Sequence, residues 1–263
     1  MNPIMIDKQL DEEKIIQEII GFIQKEVSTS GTKGVVIGLS GGIDSAIVAY
    51  LSVLALGKDR ISLIHLPEVE LESQHTEDAK LIAEELGIQL KVLNISSLID
   101  TTVQLLPDLN RNKLAKGNLK ARIRANILYA ISNLENKLVM GTSNKSEISI
   151  GYGTKFGDLA ADLWPIADIY KTELYIIAKK LGINRKIIKK PPTAGLWANQ
   201  TDEEEIGVSY NKLDCFLAGL EEEKNDKLLA EELQLETELV HKIKNMMHNS
   251  SHKQKMPKKY IRN

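Results

Sequence analysis

The residues most able to do chemistry in this chain form a short glycine-rich segment. An apolar run over residues 35–37 leads directly into it, and an apolar helix is predicted to follow at once. The segment reads Ser40-Gly41-Gly42-Ile43-Asp44-Ser45. A strand, a turn and a helix N-terminus together form an anion site, because unpaired N–H groups and the helix dipole favour negative charge. The glycines let the backbone approach a phosphate without a Cβ atom in the way.

Asp44 indicates that this segment binds more than phosphate alone. A carboxylate repels an anion, so its presence is explained if a Mg²⁺ ion lies between it and the phosphates. Ser40 and Ser45 add hydroxyl donors. The segment is neither the Gly-x-x-x-x-Gly-Lys-Ser/Thr loop of P-loop NTPases nor the Gly-x-Gly-x-x-Gly fingerprint of dinucleotide-binding folds. The pattern therefore predicts a site for a nucleotide's pyrophosphate and its metal ion.

A second group of polar residues lies within 138–172. Glu147 is a candidate second carboxylate for Mg²⁺, and Lys155 and Lys171 are candidate cations for phosphate charge. Four glycines in 141–157 predict a flexible loop that can close over a reactive intermediate. Composition alone indicates only a polar active-site loop here.

The elements that must position these residues are predicted from hydrophobic periodicity. An amphipathic helix over 11–27 comes first. Strands are then predicted at 34–39, 61–65, 89–94 and 137–141, and helices at 44–56, 74–86, 119–134 and 169–181. This alternation predicts an α/β fold with a central parallel sheet covered by helices on both faces, in one doubly wound domain. Ligands in such folds bind at the carboxyl ends of the strands, where both Ser40 and Thr142 are expected.

The whole chain, 1–263, is expected to form this single domain. An N-terminal helix at about 11–27 precedes an α/β core at about 34–200. A helical part at about 201–250 and a basic tail at 251–263 follow. The acidic runs of the helical part are predicted to be solvated helix faces. The apolar stripe of the helix at 119–134 fits either core or interface, since periodicity cannot separate the two; it comprises Ile123, Ile127, Leu128, Ile131 and Leu134.

Composition limits the classes of protein that fit. The 263 residues are 43% hydrophobic and 27% charged, which suits a domain with a sizeable core. The net charge of −2 gives no electrostatic case for nucleic acid. No apolar run approaches the roughly 20 residues of a membrane span, and the N-terminus lacks signal-peptide character. The single Cys215 excludes an internal disulfide and predicts a cytoplasmic protein; its helical context favours a packed residue over a nucleophile.

The first segment, Ser-Gly-Gly-x-Asp-Ser, resembles the signature of the PP-loop ATP pyrophosphatases, which cleave ATP between its α- and β-phosphates. Later motifs make the chain resemble NAD⁺ synthetase over residues of about 15 to 257, with an adenine nucleotide alpha hydrolase-like fold. They run in order along the chain: Gly141-Thr142-Ser143-Asn144-Lys145-Ser146-Glu147, then 151–158, Asp162-Leu163-Trp164-Pro165-Ile166, 170–174, Pro191-Pro192-Thr193-Ala194-Gly195-Leu196 and Gln200-Thr201-Asp202-Glu203.

The resemblance implies a role for each matching residue. The ATP site would comprise Gly38, Leu39, Ser40, Gly41, Gly42, Ile43, Asp44, Ser45, Thr142, Lys171 and Thr193. Asp44 and Glu147 would hold Mg²⁺. The deamido-NAD⁺ site would comprise Arg122, Lys155, Asp162, His252 and Lys253. Asp158 would orient its loop or meet the incoming ammonia, and it completes a catalytic group with Asp44, Glu147 and Lys171.

One segment departs from the resemblance. Bacterial relatives often carry an Arg-Leu-Pro-Tyr-like sequence after the second strand, where the adenosine is seated. This chain has Ile64-His65-Leu66-Pro67-Glu68-Val69-Glu70, which keeps the proline but lacks the arginine and the tyrosine. His65 is open to two interpretations, a packed histidine or a nucleotide contact, and the packed one is favoured.

The implied reaction forms an amide in two steps. The pyridine carboxylate of deamido-NAD⁺ attacks the α-phosphate of ATP to give an acyl-adenylate and pyrophosphate, and ammonia then displaces AMP to give NAD⁺. The roughly 30 residues before the first strand leave no room for a glutaminase domain, so free ammonia is the expected donor, although a separate partner could deliver it. The resemblance also implies a homodimer with deamido-NAD⁺ at the subunit boundary.

Two other functions remain open at this point. Another PP-loop enzyme, such as a tRNA-modifying ligase, a thiolation enzyme or a GMP-synthetase-like ligase, would show a basic surface, an RNA-binding domain or paired cysteines. A non-catalytic adenine-nucleotide sensor would bind ATP without turnover. The intact carboxylates and lysines argue against the sensor.

Overall fold

The central sheet positions the predicted phosphate segment. The computed structural model describes residues 10–68, 72–193, 195, 197, 200–255 and 257–262, and within them one sheet has four parallel strands. These are β1 (Val35–Gly38), β2 (Ile61–His65), β3 (Leu90–Val92) and β4 (Leu138–Met140), in the spatial order β3-β2-β1-β4. Val35 pairs with Ile61 on one side and Leu138 on the other. The chain order reverses around β1, and such a switch point is where open α/β sheets bind ligands.

Helices connect and cover the strands. Up to β4 they are α1 (Glu12–Ser30), α2 (Ile43–Leu56), α3 (Glu72–Glu85), α4 (Ser96–Leu105) and α5 (Lys113–Glu135). After β4 they are α6 (Lys145–Ile150), α7 (Lys171–Lys180), α8 (Arg185–Ile188), α9 (Asp202–Ile206), α10 (Tyr210–Glu221), α11 (Asp226–Leu233) and α12 (Thr237–Ser250), with short 3₁₀ helices at Lys58–Arg60, Pro107–Arg111 and Ser251–Gln254. Across the described part of the chain, none of these helices combines the length and apolar character needed to span a bilayer.

Different helices pack against the two faces of the sheet, because successive strand residues point in opposite directions. Val35 and Ile37 pack in a cluster with α1, α2 and α7. Val36 and Ile64 pack in a second cluster with Ile131 of α5 and with α4. The predicted parallel sheet with helices on both faces is therefore confirmed. Most of the stripe of α5 belongs to the core, since Ile131 is buried and Ile123, Ile127 and Leu128 pack against its cluster, whereas Leu134 is exposed.

The helices after α8 form a separate apolar cluster centred on α10, which includes Phe216 and the buried Cys215. Ile150 of α6 and Tyr170 belong to the same cluster. Asp214 of α10 ties it to the core, because its carboxylate accepts hydrogen bonds from Ser146 Oγ at 2.5 Å and from the Thr172 backbone N–H at 2.9 Å. The cluster thus fixes the starts of α6 and α7.

The structure differs from the sequence-based expectations in three helices, α4, α5 and α6. The flexible loop predicted over 141–157 is wrong in its middle, because Lys145–Ile150 form α6. Asn144 and Glu147 cap this helix reciprocally, so the segment is ordered by its own side chains. Helix α4 was not predicted, and α5 begins at Lys113, ahead of the predicted start at 119.

Candidate active site

A cleft of about 1090 Å³ opens at the carboxyl ends of β1, β2 and β4. It is walled by α5, by the segment that contains α6, and by α12. Most of the residues predicted from the sequence line it together: Gly38, Leu39, Ser40, Gly42, Ile43, Asp44, Ser45, Thr142, Glu147, Asp158, Lys171, Thr193 and Lys253. The sheet edge therefore gathers residues from segments far apart in sequence.

The glycine-rich turn between β1 and α2 is held by its two serines. Ser45 Oγ donates to the Gly42 carbonyl at 3.0 Å, and it lies 3.0 Å from Ser40 Oγ. Gly41 has a φ of +81°, and a Cβ atom there would come within 2.6 Å of the His75 carbonyl oxygen. Glycine is thus required at this position by conformation and by space. The first N–H groups of α2 have no intrahelical partner and face the anion site that this turn forms.

A buried lysine joins the two predicted metal carboxylates. Lys171 is the first residue of α7, and its Nζ lies 2.5 Å from Asp44 Oδ2 and 4.0 Å from Glu147 Oε1. Asn144 bridges the same carboxylates, since its side-chain amide donates to Asp44 Oδ1 at 3.0 Å and its backbone N–H donates to Glu147 Oε2 at 3.2 Å. Asp44 and Glu147 therefore follow two neighbouring strands, β1 and β4, while Lys171 comes from the start of α7, and one asparagine holds the two carboxylates.

The electrostatics of this group leave it short of positive charge. Burial raises the pKa of Glu147 well above its ordinary value, and the nearby Asp44 raises it further, while Lys171 opposes the shift. Burial alone would lower the pKa of Lys171, but the carboxylates of Asp44 and Glu147 raise it, so its amine is held in the charged form. Two carboxylates share one ammonium, and a further cation would balance them.

The donor set fits a magnesium ion that brings its own phosphates. In the ranges that the structure describes, no group of three or more His, Cys, Asp or Glu side chains is arranged to hold a metal. Mg²⁺ usually binds through one or two carboxylates, with phosphate oxygens and water completing its shell. Asp44 and Glu147 supply such a pair beside the phosphate turn.

The 3₁₀ helix Ser251–Gln254, within the predicted basic tail, docks onto the segment after α6. Lys253 Nζ donates to the carbonyls of Gly151 at 2.7 Å and Gly153 at 2.8 Å. In the other direction, Lys155 Nζ donates to the His252 carbonyl at 2.6 Å. Asp158, on the same segment, lines the cleft and accepts a hydrogen bond from the Thr154 backbone N–H. Lys155 and Lys253, the two lysines predicted to bind deamido-NAD⁺, thus donate hydrogen bonds to backbone carbonyls.

Other predicted residues do not line the cleft of the single chain. Arg122 is exposed, and its Nε donates to the Lys155 carbonyl at 3.3 Å. Asp162 is exposed as well, and its carboxylate accepts hydrogen bonds from the Val139 N–H and the Tyr129 hydroxyl. His252 and Lys155 form the contact with the 3₁₀ helix described above, and Gly41, within the turn, packs against His75 and Asp78 of α3.

His65 is buried, in agreement with the packed interpretation. Its Nδ1 lies 2.7 Å from the Leu39 carbonyl and its Nε2 lies 3.0 Å from Thr76 Oγ1. Nearby, a buried ion pair joins Glu68 to Lys120, and Arg124 Nε donates to the Leu66 carbonyl at 3.0 Å. His65, Leu66 and Glu68 belong to the segment that departs from the family pattern, and Lys120 and Arg124 reach it from α5. Val69 and Glu70 of that segment, and Ala194 and Leu196 of the later motif, lie outside the described residues.

Sequence reasoning missed several polar residues of the cleft, among them Asp202, Glu205 and Tyr152. Asp202 is buried, accepts a hydrogen bond from the Tyr210 hydroxyl at 3.1 Å, and has a second oxygen that no described residue hydrogen-bonds. Burial raises its pKa. Its position in the Gln-Thr-Asp-Glu motif was a signal, but only the packing of α9 brings it to the cleft.

Comparisons with known proteins relate the chain to NAD synthetases and to an NMN synthetase. A profile of the family described as NAD synthase matches residues 15–257. The chain is 45% identical over 249 residues to an NH(3)-dependent NAD(+) synthetase of Pyrococcus horikoshii, and the alignment covers 94% of each chain. A solved NMN synthetase from Francisella tularensis superposes with a TM-score of 0.84 at 31% identity, covering 96% of this chain and 99% of that one. An NH3-dependent NAD synthetase from Campylobacter jejuni, in complex with the nitrate ion, gives 0.81 at 37% identity, covering 96% and 100%.

Proposed function

The chain belongs to the NAD synthase family, and from that premise we propose that it amidates deamido-NAD⁺ with ammonia at the expense of ATP. The products are NAD⁺, AMP and pyrophosphate. The observation that carries the proposal is the group of Lys171, Asp44 and Glu147 beside the phosphate turn at the N-terminus of α2. This group supplies what ATP cleavage needs, a fixed ammonium and a carboxylate pair that fits Mg²⁺.

The first step activates a poor electrophile. A carboxylate oxygen of deamido-NAD⁺ attacks the α-phosphorus of ATP, a new O–P bond forms, and the bond to the β-phosphate oxygen breaks. Negative charge builds on the departing pyrophosphate, where Lys171 and the N–H groups of α2 stabilise it. When bound by Asp44 and Glu147, Mg²⁺ neutralises phosphate charge.

The second step needs no protein nucleophile. Ammonia adds to the carbonyl carbon of the acyl-adenylate, AMP leaves with the electron pair of the broken C–O bond, and the added nitrogen loses a proton. The chain's contribution is to position the reactants and to keep water from the adenylate. Asp158, which lines the cleft, is our candidate for orienting the loop or meeting the ammonia.

Deamido-NAD⁺ is assigned to the side of the cleft formed by the segment after α6 and the 3₁₀ helix Ser251–Gln254. We assign it to Arg122, Lys155, Asp162, His252 and Lys253. Lys253 supports this because two of its three N–H donors bond the Gly151 and Gly153 carbonyls, which leaves one for a ligand in the cleft. The reaction would run in the cytoplasm, with free ammonia as the nitrogen donor.

A homodimer would complete this side of the site. Apolar side chains are exposed where α4, the 3₁₀ helix Pro107–Arg111 and α5 pack together: Leu98, Leu105, Leu106 and Leu114. Leu105 is 76% exposed and Leu114 is 64% exposed. Large exposed apolar side chains on neighbouring elements are a feature of interaction sites. We propose that a second copy of the chain covers it, and Arg122 lies on the same helix, α5.

A product assay tests the proposal. The purified protein is mixed with ATP, Mg²⁺ and deamido-NAD⁺, together with ammonium or glutamine, and the products are separated by chromatography. We expect NAD⁺ and AMP in equal amounts with ammonium, and none with glutamine alone. Nicotinate mononucleotide replaces deamido-NAD⁺ in a parallel assay, because the F. tularensis structure is that of an NMN synthetase. Faster turnover of the mononucleotide, or ATP bound without AMP release, would reject the proposed function.

A further inference from the structure

Lys190 is a second lysine that reaches the phosphate turn. It follows α8, and its Nζ lies 3.4 Å from the Gly41 carbonyl, 3.0 Å from His75 Nδ1 and 2.7 Å from Asp78 Oδ2. Its side chain lines the cleft, as does His75. Lys190 is not among the site residues predicted from the sequence motifs. It approaches the turn from an element different from the one that carries Lys171.

The charges around Lys190 leave a surplus of one positive charge. Asp78 is buried and binds two ammonium groups, Lys190 and Lys186, the latter at 2.8 Å. Only Lys190 lines the cleft, with 16% of its side chain exposed; Lys186 is 52% exposed and lies outside the cleft lining. The third contact adds no charge, because burial, and then Lys190, lower the pKa of His75 and keep its imidazole neutral.

The hydrogen bonds of Lys190 show how it can accept a ligand. An ammonium group has three donors, and the three contacts use all of them. The contact to the Gly41 carbonyl, at 3.4 Å, is long for a hydrogen bond and therefore weak. A phosphate oxygen would replace it with a shorter, charge-assisted bond, while Asp78 and His75 keep the amine in place.

We propose that Lys190 binds the β- and γ-phosphates of ATP, and the pyrophosphate formed from them, with Asp78 as its positioning residue. This proposal rests on the proposed function only in placing ATP at the turn between β1 and α2. Most of the negative charge of a triphosphate lies beyond its α-phosphate, so a surplus cation at the turn favours that half of the molecule. Lys186 neutralises Asp78 from outside the cleft and takes no part in binding.

Lys190→Met and Lys186→Met are a matched pair, because each removes one of the two ammonium groups on Asp78 and leaves that carboxylate paired. Binding of Mg²⁺–ATP, pyrophosphate and AMP to the full chain is measured by calorimetry. Lys190→Met should weaken ATP and pyrophosphate binding roughly 10- to 100-fold, as expected for a lost charge-assisted hydrogen bond, and leave AMP within about twofold. Lys186→Met should leave all three within about twofold, and Lys190→Arg should recover part of the ATP affinity.

Two results would overturn the proposal. One is unchanged ATP affinity in Lys190→Met; the other is an equal loss of ATP and AMP binding with a lowered melting temperature, which marks a structural role. If Lys190→Met does not fold, the ATP affinities of Lys190→Gln and Lys190→Arg test the proposal instead, since only the arginine variant should retain ATP binding. A wild-type chain that binds ATP but forms no NAD⁺ would reject the proposed function and leave these titrations valid.

Discussion

At the scale of single residues, the site is organised around a buried ammonium. Lys171 lies between Asp44 and Glu147, and Asn144 holds both carboxylates from the other side. The contacts of Asp44 join segments that are distant in sequence; Asp44 lies 127 residues from Lys171 and 100 from Asn144. The residue types indicated metal and phosphate chemistry in the sequence, but only the folded chain shows that a lysine occupies the centre of the group.

Changing Glu147 to Gln should reduce turnover far more than stability. The amide keeps the shape of the side chain and can still accept the Asn144 N–H, but it removes one charge of the proposed Mg²⁺ pair. We expect NAD⁺ formation to fall by at least about 100-fold, with the melting temperature close to that of the wild type.

Glu173→Gln is the control for this substitution. Glu173 stands at the corresponding position of α7, where its carboxylate accepts the Tyr170 N–H at 2.8 Å, and it does not line the cleft. Turnover of the Glu173→Gln variant should stay near the wild-type value. Full activity in Glu147→Gln would exclude a metal role for that carboxylate.

At the scale of elements, the sequence predicted the strands and the edge at which the site forms. The predicted strands 34–39 and 137–141 contain short apolar runs and are followed directly by Ser40 and Thr142, which is enough to place both strand ends together. Helix α6 was missed because glycines on either side suggested a loop, although Asn144 and Glu147 have the spacing of a capping box. Long-range pairs such as Asp78 and Lys190, 112 residues apart, leave no periodic signal.

The ion pairs of Asp78 join α3 to α8 and to the residues that follow it, and they should make folding depend on pH on the acid side. Burial would raise the pKa of Asp78, but hydrogen bonds from Lys186, Lys190 and Gln74 outweigh it, and the pKa is lowered. Because the pKa of Asp78 is lower in the folded chain than its ordinary value of about 4, the ionised carboxylate stabilises the folded chain at pH values above about 4. This stability is lost as the pH falls through the lowered pKa.

Urea unfolding from pH 3 to 7 checks this dependence. The difference in unfolding free energy between wild type and Asp78→Asn should be constant above about pH 5 and should shrink below about pH 4. Glu77→Gln on the same helix, whose ion pair with Lys80 is exposed, should show little difference at any pH. A difference for Asp78→Asn that does not vary with pH would show that this carboxylate adds no pH-dependent stability.

At the scale of the whole molecule, the exposed leucines of α4 and α5 predict association. Leu105→Asp places a charge in the proposed interface and should convert a dimer to a monomer, as measured by light scattering. Leu54→Asp, at a leucine of α2 that is 56% exposed, is the matched control and should leave the dimer intact. We also expect the Leu105→Asp monomer to have a raised KM for deamido-NAD⁺ and an almost unchanged affinity for ATP. A wild-type chain that is monomeric at assay concentration would refute the dimer.

The contacts of Lys253 and Gln254 also bear on the order in which the protein matures during translation. Gln254 Nε2 donates to the Ile148 carbonyl at 2.6 Å, beside the two carbonyls that Lys253 holds. The residues proposed to bind ATP extend to Thr193, and the ribosome adds the residues from there to Lys253 at roughly 5–20 per second, so several seconds separate the two points. A nascent chain would therefore contain all of its proposed ATP residues some seconds before Lys253 could bond the segment proposed to bind the second substrate.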